Sequence, residues 1–357
     1  MRRLLVRFAT LLVFISFSNF AAGTSPQGEE HPAELLPQST DPVLVGNIPQ
    51  LTQSLPDGIE LPPESGTAKA PLTLDPPLQV ERDARRGHWI RSLRLSSAAA
   101  LVVDQQAGRL LYAKNPGAIR PIASITKLMT AIVVLDAGLA LDEVLGIDRA
   151  DVDNLKITRS RLDLGVSLTR REMLKLALMA SENRAAAALA RTYPGGSTSF
   201  VQAMNEKARR LGMRDTLFLD SSGLNSSNVS TARDLALLVN ATYQYPMIRE
   251  FTTSGFHDLA LMDSEHETVL AFRNTNALLR NSAWEIGLSK TGYISEAGRC
   301  LVMQATIARK AVIIILLDAR GRAARMGDAN QIKHWLEGSV IATRTAVRRR
   351  HAAGSGA

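Results

Sequence analysis

The sequence of 357 residues contains a single cysteine, Cys300. One thiol cannot form an intramolecular disulfide, so a disulfide framework is excluded. Apolar residues follow it at positions 301–303 and suggest a strand, which favours a buried small side chain over a nucleophile. No cysteine lies near the amino terminus, so a lipid attached to a terminal cysteine is also excluded.

The amino-terminal region lacks an apolar run long enough to cross a bilayer. The run from Phe8 to Phe17 is about half of the ~20 residues that a spanning helix needs. Three arginines precede it, and the small residues at positions 21–23 would suit a signal peptidase. We therefore expect residues 1–23 to be a cleaved signal peptide rather than a membrane anchor, and the mature protein to be periplasmic.

The chain also lacks the residue spacings of metal sites and of nucleic-acid-binding domains. Its six histidines, including His257 and His266, show no His-Glu-x-x-His or related pattern, which favours surface or packing roles. The sequence predicts no metal and no cofactor. Nucleic acid is a poor partner for an exported chain without a binding motif.

Proline is concentrated in one segment, residues 24–80, which holds 11 of the 15 prolines. This segment has eight acidic residues and one lysine, and its pattern shows no sustained period. Such a composition cannot bury enough apolar surface to fold, so residues 24–80 are predicted to be an acidic disordered linker.

Positive charge is concentrated in the remainder of the chain. Residues 81–343, the predicted folded domain, carry a net charge of +8, the same as the whole chain. Beyond the membrane, the anionic partners of such a domain are lipid surfaces and the peptide carboxylates of the cell wall. The arginine-rich tail, residues 344–357, is predicted to be solvated and could add weak attraction to a membrane surface.

Hydrophobic periodicity predicts strands at both ends of the domain and helices between them. The predicted strands are Ala98–Val103, Arg109–Ala113, Trp284–Thr291, Arg299–Ile307 and Lys310–Leu317. Six helices are predicted: one that follows Pro121, Thr169–Ala180, Arg184–Arg191, a helix from Ser197 or Thr198 to Gly212, Ala232–Tyr243, and Asp328–Thr345. Thr169 and Glu172 form a capping-box signature at the second, and Ser230 or Thr231 caps the fifth. This order predicts an α+β fold, in which an antiparallel sheet is flanked by helices and carries an inserted helical subdomain.

The segment PIASITKLMTAIVVL, residues 121–135, places Lys127 in a helix that is apolar on almost every side. Ser124 lies three residues earlier, so the two side chains share a helix face. A serine hydroxyl needs a base, and a lysine becomes one when burial and the positive end of a helix lower its pKa. The pair predicts a nucleophile, Ser124, with a lysine base.

Two further motifs follow in order, Ser181-Glu182-Asn183 between two predicted helices and Lys290-Thr291-Gly292 on a predicted strand. Ser-x-x-Lys, Ser-x-Asn and Lys-Thr-Gly are together the three motifs of penicillin-recognising serine enzymes. A second Ser-x-Asn match, Ser226-Ser227-Asn228, lies in a turn-rich stretch, so Ser181 and Asn183 are preferred.

The stretches RPIASITKLMTA, LALMASENRAA and GLSKTGYISEAGRCL resemble the D-alanyl-D-alanine endopeptidases of the low-molecular-mass penicillin-binding proteins, of the penicillin-binding protein 7 type in peptidase family S11. The resemblance spans roughly residues 97–320 and implies a β-lactamase/DD-peptidase-like fold. It also implies peptidoglycan stem peptides and cross-links as substrates and β-lactams as covalent inhibitors. The segment FRNTNALLR, residues 272–280, resembles a family segment that we interpret as structural.

The resemblance implies a catalytic role for four side chains. Ser124 would attack a D-alanyl carbonyl to form an acyl-enzyme, with Lys127 as its base. Ser181 would relay a proton to or from the leaving amine, and Asn183 would hold Lys127 and the substrate amide. The charge of Lys290 nearby is expected to favour the neutral form of Lys127.

Substrate-binding roles follow from the same resemblance. Lys290 and Thr291 would bind the carboxylate beside the scissile bond, and Gly292 would let the substrate backbone approach the strand. The backbone amides of Ser124 and Tyr293 would form the oxyanion hole.

Three other functions compete with an endopeptidase. A carboxypeptidase would use the same motifs, although only 40 residues follow Leu317, too few for the extra domain of many such relatives. A class A β-lactamase needs a Glu-x-x-Asn motif, which is absent between Lys127 and Lys290, so the penicilloyl-enzyme should be long-lived. A wall-binding scaffold would not need intact motifs.

We predict that Ser124→Ala abolishes covalent labelling by a fluorescent penicillin, because the acyl bond has no other oxygen on which to form. Labelling is measured on a denaturing gel beside the unaltered protein, which is expected to retain its label. Persistent labelling of the alanine variant would contradict the assignment of Ser124.

Overall fold

The structure is a computed structural model that describes residues 93–262 and 267–338. The predicted signal peptide, linker and basic tail all lie outside the described residues, as do the first residues of the predicted domain. Within the described part of the chain, no helix has the length and apolar character needed to cross a membrane.

A five-stranded antiparallel sheet forms the centre of the domain. Its strands are, in the order in which they lie side by side, β2 Arg109–Lys114, β1 Ser97–Asp104, β11 Lys310–Ala319, β10 Gly298–Ile307 and β9 Glu285–Ile294. The labels follow the order of the strands in the chain. The first strand pairs with the last, β1 with β11, so the prediction of a sheet assembled from both ends of the chain is confirmed.

Both faces of this sheet are covered, which explains why its strands are continuously apolar in sequence. In β11, Ile313 and Ile315 pack into the core shared with the helical block, whereas Ile314 and Leu316 pack on the opposite face. The last helix, residues 324–338, covers that second face through residues such as Ile332.

The remaining strands are short and pair outside the main sheet. They are β3 Arg120–Pro121 with β6 Val229–Ser230, β4 Val144–Gly146 with β5 Ser167–Thr169, and β7 Phe256–Met262 with β8 Glu267–Arg273. The β7–β8 hairpin was not predicted, because its sequence includes weak strand formers such as Asp258 and Ala260.

Helices fill the chain between β2 and β9, as predicted for the inserted subdomain. They are α1 Lys127–Asp136, α2 Arg170–Met179, α3 Asn183–Arg191, α4 Gly196–Arg210, α5 Ala232–Thr242 and α6 Pro246–Thr253, and residues 324–338 form α7. The first eight residues of α1 are buried, so α1 is the central helix of this block, against which α2, α3, α4 and α5 pack.

Helix ends agree with the capping signals in most cases. Thr169 and Glu172 form the predicted capping box at α2, and the Thr231 hydroxyl accepts from the Asp234 amide at α5. The predicted start of α4 at Ser197 or Thr198 is wrong, because Gly195 adopts a left-handed conformation and the helix begins at the next residue. Helix α7 begins four residues before the predicted Asp328.

The turn that carries Ser124 is packed against a loop from the far side of the helical block. Residues Ala123–Thr126 form one turn of 3-10 helix directly before α1. Gly223 has a φ of +84°, and a Cβ there would lie 2.0 Å from the Ala123 carbonyl oxygen. Only glycine meets both conditions, so Gly223 fixes the position of the serine turn.

We predict that Gly223→Ala destabilises the protein more than Gly138→Ala does. Gly138 also has a positive φ, +62°, but no atom lies within 4 Å of its added Cβ. Gly138→Ala should therefore cost only the backbone term of about 1 kcal/mol, whereas Gly223→Ala adds an overpacking term of about 1–3 kcal/mol. Urea unfolding measures both losses, and equal losses would contradict this account.

Candidate active site

Ser124 is presented by a short strained turn. The residue before it, Ala123, has a φ of 48°, a left-handed conformation that is unfavourable for a residue with a Cβ. The Thr126 hydroxyl donates to the Ala123 carbonyl oxygen at 2.8 Å and closes the turn. Strain of this kind persists where the surroundings hold it in place, and it is concentrated at functional sites.

Lys127 is fully buried beneath Ser124 and has three hydrogen-bond partners. Its Nζ lies 3.0 Å from Ser124 Oγ, 2.7 Å from Asn183 Oδ1 and 2.7 Å from the Ser222 carbonyl oxygen. Burial lowers the pKa of Lys127 to about 7, against the opposing attraction of the Asp220 and Glu182 carboxylates. At neutral pH a large fraction of this amine is therefore unprotonated and can accept a proton from the serine.

The Ser-x-Asn segment lies between α2 and α3 and faces the same space. Ser181 has a φ of 63°, which turns the chain sharply before α3 begins at Asn183. The Asn183 amide nitrogen donates to Thr158 Oγ1 at 3.0 Å, and its oxygen accepts from Lys127. An amide nitrogen has two hydrogens, so one donor remains for a substrate.

Lys290 approaches Ser181 from the sheet side. Its Nζ donates to Ser181 Oγ at 2.8 Å and to the Thr291 carbonyl oxygen at 2.9 Å. The side chain is buried, and burial lowers its pKa well below the ordinary lysine value. Repulsion by Lys127 and Arg325 lowers the pKa of Lys290 further, so the expected interaction between the two lysines acts on Lys290.

The Lys-Thr-Gly segment belongs to β9, the edge strand that faces the helical block. A Cβ on Gly292 would lie 2.8 Å from the Ile122 carbonyl oxygen and 3.2 Å from the Ser124 amide nitrogen. The absence of a side chain therefore lets β9 pass directly beside the nucleophile turn. Tyr293 comes next, and its exposed ring lies under the Arg299 guanidinium, 4.5 Å from the ring centroid.

The second Ser-x-Asn match is structural. Asn228 is fully buried, and its Oδ1 accepts from the amides of Leu219 and Asp220. Its amide nitrogen donates to Thr126 Oγ1 at 3.1 Å and to the Asp220 carbonyl oxygen. Asn228 thus organises the loop that supports the serine turn, whereas Ser181 and Asn183 contact the two lysines.

Three contributors to the site were not found from the sequence. The Ser222 carbonyl oxygen contacts Lys127, Thr275 Oγ1 accepts from Thr291 Oγ1 at 2.6 Å, and Arg325 donates to the Gly292 carbonyl oxygen at 2.9 Å. The sequence indicated a turn only around Ser222, because Asp-Ser-Ser-Gly at positions 220–223 is a cluster of turn-forming residues. Carbonyl contacts leave no residue-type signature.

The loop around Ser222 is fixed by one carboxylate. Asp220 accepts hydrogen bonds from the amides of Ser222, Gly223 and Asn225 at 2.6, 2.5 and 2.6 Å.

Cys300 is buried, and burial raises the pKa of its thiol to about 11, which agrees with a packed side chain and opposes a nucleophilic role.

Comparison with known proteins agrees with the geometry. Residues 88–321 match the Peptidase_S11 family, described as D-alanyl-D-alanine carboxypeptidase. A D-alanyl-D-alanine endopeptidase of Pseudomonas aeruginosa is 49% identical over 255 residues, which are 71% of this chain and 82% of that protein.

Solved structures show the same fold. The Streptomyces K15 DD-transpeptidase superposes with a TM-score of 0.63 at 30% identity, covering 68% of this chain and 97% of that one. Penicillin-binding protein D2 from Listeria monocytogenes, in its cefotaxime-bound form, gives a TM-score of 0.58 at 32% identity, covering 68% and 98%. The expected β-lactamase/DD-peptidase-like fold is confirmed.

We predict that acylation by penicillin accelerates as the pH rises through about 7. Below its pKa Lys127 is protonated and cannot accept the Ser124 proton, so the rate at pH 6 should be about tenfold below the value extrapolated for fully neutral Lys127. Second-order rate constants for a fluorescent penicillin, measured from pH 5.5 to 8.5, test this. A rate that does not change over pH 5.5–7 would contradict the role of Lys127 as base.

Proposed function

The chain belongs to the Peptidase_S11 family and is a serine-type peptidase of D-alanyl-D-alanine peptides, and we propose that it cleaves the D-alanyl cross-links of peptidoglycan as an endopeptidase. The observation that carries the mechanism is the 3.0 Å contact between Ser124 Oγ and the buried amine of Lys127. Every other group of the site is arranged around that pair.

Acylation begins with neutral Lys127 as general base. The amine accepts the Ser124 proton while Oγ forms a bond to the carbonyl carbon of the donor D-alanine. The Asn183 oxygen and the Ser222 carbonyl oxygen already accept from Lys127, and they stabilise the ammonium that forms. Their positions are fixed before the reaction, so little reorganisation is needed at this step.

Negative charge develops on the carbonyl oxygen as the tetrahedral intermediate forms. The proposed donors are the backbone amides of Ser124 and Tyr293, whose approach is supported by the contact of Gly292 with the serine turn. Preorganised donors of this type contribute a few kcal/mol each, typically about 3.

The leaving amine is protonated as the scissile C–N bond breaks. Ser181 is the proposed relay, through which the proton that Lys127 took from Ser124 passes to the leaving amine, so that Lys127 becomes neutral again; the Ser181 hydroxyl lies 2.8 Å from Lys290 Nζ. A carboxylate bound by Lys290 and Thr291 would raise the pKa of Lys290 and hold it in the charged form. Neutral Lys127 then accepts a proton from water, which attacks the acyl carbon, and returns that proton to Ser124 Oγ as the acyl C–O bond breaks and the donor stem is released.

Recognition of the leaving group by Lys290 and Thr291 does not distinguish an endopeptidase from a carboxypeptidase. In both reactions the leaving amine belongs to a centre that carries a carboxylate, and Lys290 and Thr291 would bind it in the same way. The endopeptidase is favoured by the 49% identity with a protein of that name over 82% of its length.

Because peptidoglycan lies outside the cytoplasm, we also propose export by the predicted signal peptide and a periplasmic location.

We predict that the purified protein converts cross-linked muropeptide dimers to monomers and leaves terminal D-alanine on pentapeptide monomers. Dimers and monomers are digested in parallel and separated by chromatography, with the Ser124→Ala variant as the control for contaminating activity. Release of free D-alanine from monomers at a rate equal to or above dimer cleavage would favour the carboxypeptidase and contradict the proposal.

A further inference from the structure

An ion pair joins a loop between β4 and β5 to the turn between β9 and β10. Lys156 lies in a loop of residues 153–162, here called the rim loop, and Glu296 lies in the turn between β9 and β10. The Lys156 ammonium contacts the Glu296 carboxylate, and the two side chains are 27% and 41% exposed. None of the catalytic steps proposed above uses this pair.

The rim loop is anchored to the catalytic machinery. The Asp153 carboxylate accepts from the amides of Lys156 and Thr158 at 3.0 and 2.9 Å, which folds the loop back on itself. Thr158 accepts from Asn183, and the Ser160 hydroxyl donates to Glu182 at 2.7 Å. Lys156 is therefore two residues from a side chain that contacts Asn183.

The tip of the rim loop is strained and exposed. Ile157 has a φ of 51°, which is unfavourable for a β-branched residue, and its side chain is 86% exposed. Burial of this side chain does not compensate for the strain. Backbone strain of this kind is concentrated at ligand-contacting and active-site positions.

If the protein cleaves D-alanyl cross-links as proposed, the order of groups along β9 places the ion pair beside the donor stem peptide, the part of the substrate that becomes attached to Ser124. Lys290 and Thr291 bind the carboxylate of the leaving group, and the Tyr293 amide faces the scissile carbonyl. Glu296 lies three residues further, in the turn that follows the end of β9 at Ile294. Three residues span at most about 10 Å, so Glu296 lies within three residues of the scissile bond along an extended donor stem peptide.

The ion pair is weak enough to be exchanged. An exposed pair of this kind is screened by water and contributes little to stability, so replacing one partner by another of the same charge costs little. The folded domain is basic, and its proposed substrate is a peptide with side-chain carboxylates. A carboxylate of the donor peptide that reaches Lys156 can therefore replace Glu296 as the partner of the Lys156 ammonium.

We propose that Lys156 is a specificity residue that binds a carboxylate of the donor stem peptide, and that Glu296 is the internal anion which this carboxylate displaces. Lys156 discriminates in favour of stems with a free acid at this position. Glu296 opposes binding of the same acid by competing for the ammonium and by repelling it. Removal of the two partners therefore has opposite effects on the reaction.

A purely mechanical latch gives a different result. If the ion pair only held the rim loop against the turn after β9, removing either partner would release the loop, and both variants would change the rate in the same direction. The sign of the two effects thus separates recognition of a carboxylate from opening of a latch.

The test uses synthetic cross-linked dimers in two versions, in which the donor side-chain acids are either carboxylates or carboxamides. Lys156→Ala should lower kcat/KM about fivefold for the carboxylate version and leave the carboxamide version unchanged. Glu296→Gln should raise kcat/KM for the carboxylate version. Lys310→Ala and Glu285→Gln are matched charge controls at the far end of the sheet and should change neither rate.

Labelling by a fluorescent penicillin without a side-chain carboxylate reports the serine chemistry separately and should be equal in all variants. Equal losses on both dimers in Lys156→Ala, or changes of the same sign in both variants, would overturn the inference. Intact penicillin labelling with no cleavage of either dimer by the unaltered protein would instead contradict the endopeptidase proposal.

Discussion

The site depends on the burial of one amine. Lys127 has no exposed surface and lies in a helix that is apolar on almost every side, so its charged form is disfavoured and its pKa falls to about 7. A lysine at the surface with the ordinary pKa would be protonated at neutral pH and could not accept the Ser124 proton. The helical block around α1 therefore serves catalysis by excluding water from this side chain.

Burial alone would leave the ammonium form without partners, and the structure supplies three acceptors from separate parts of the chain. Ser124 belongs to the turn before α1, Asn183 to the start of α3, and Ser222 to a loop fixed by Asp220. In the proposed mechanism these acceptors let Lys127 alternate between amine and ammonium. Gly223 and Gly292 let the loop and the edge strand come close enough to hold the turn.

The motifs and the main sheet were predictable because they depend on local pattern. Ser-x-x-Lys at helical spacing specifies a shared face, and the apolar runs of β10 and β11 specify a sheet buried on both sides. The β7–β8 hairpin and the start of α4 were not predictable, since the hairpin contains weak strand formers such as Asp258 and the start of α4 depends on the left-handed conformation of Gly195.

The sequence by itself determined the groups of the proposed chemistry: a serine, a lysine as its base, and a lysine and threonine for a carboxylate, in the order of the three motifs of penicillin-recognising serine enzymes. The sequence favoured Asn183 over Asn228 because Asn183 lies directly between two predicted helices, and the tertiary structure shows that the Asn183 amide reaches Lys127 whereas Asn228 reaches Thr126. Tertiary structure alone decided the carbonyl contact of Ser222 and the ion pair of Lys156 with Glu296. These contacts join residues far apart in the chain, and backbone carbonyls and exposed charges occur everywhere in a sequence, so no residue pattern marks them.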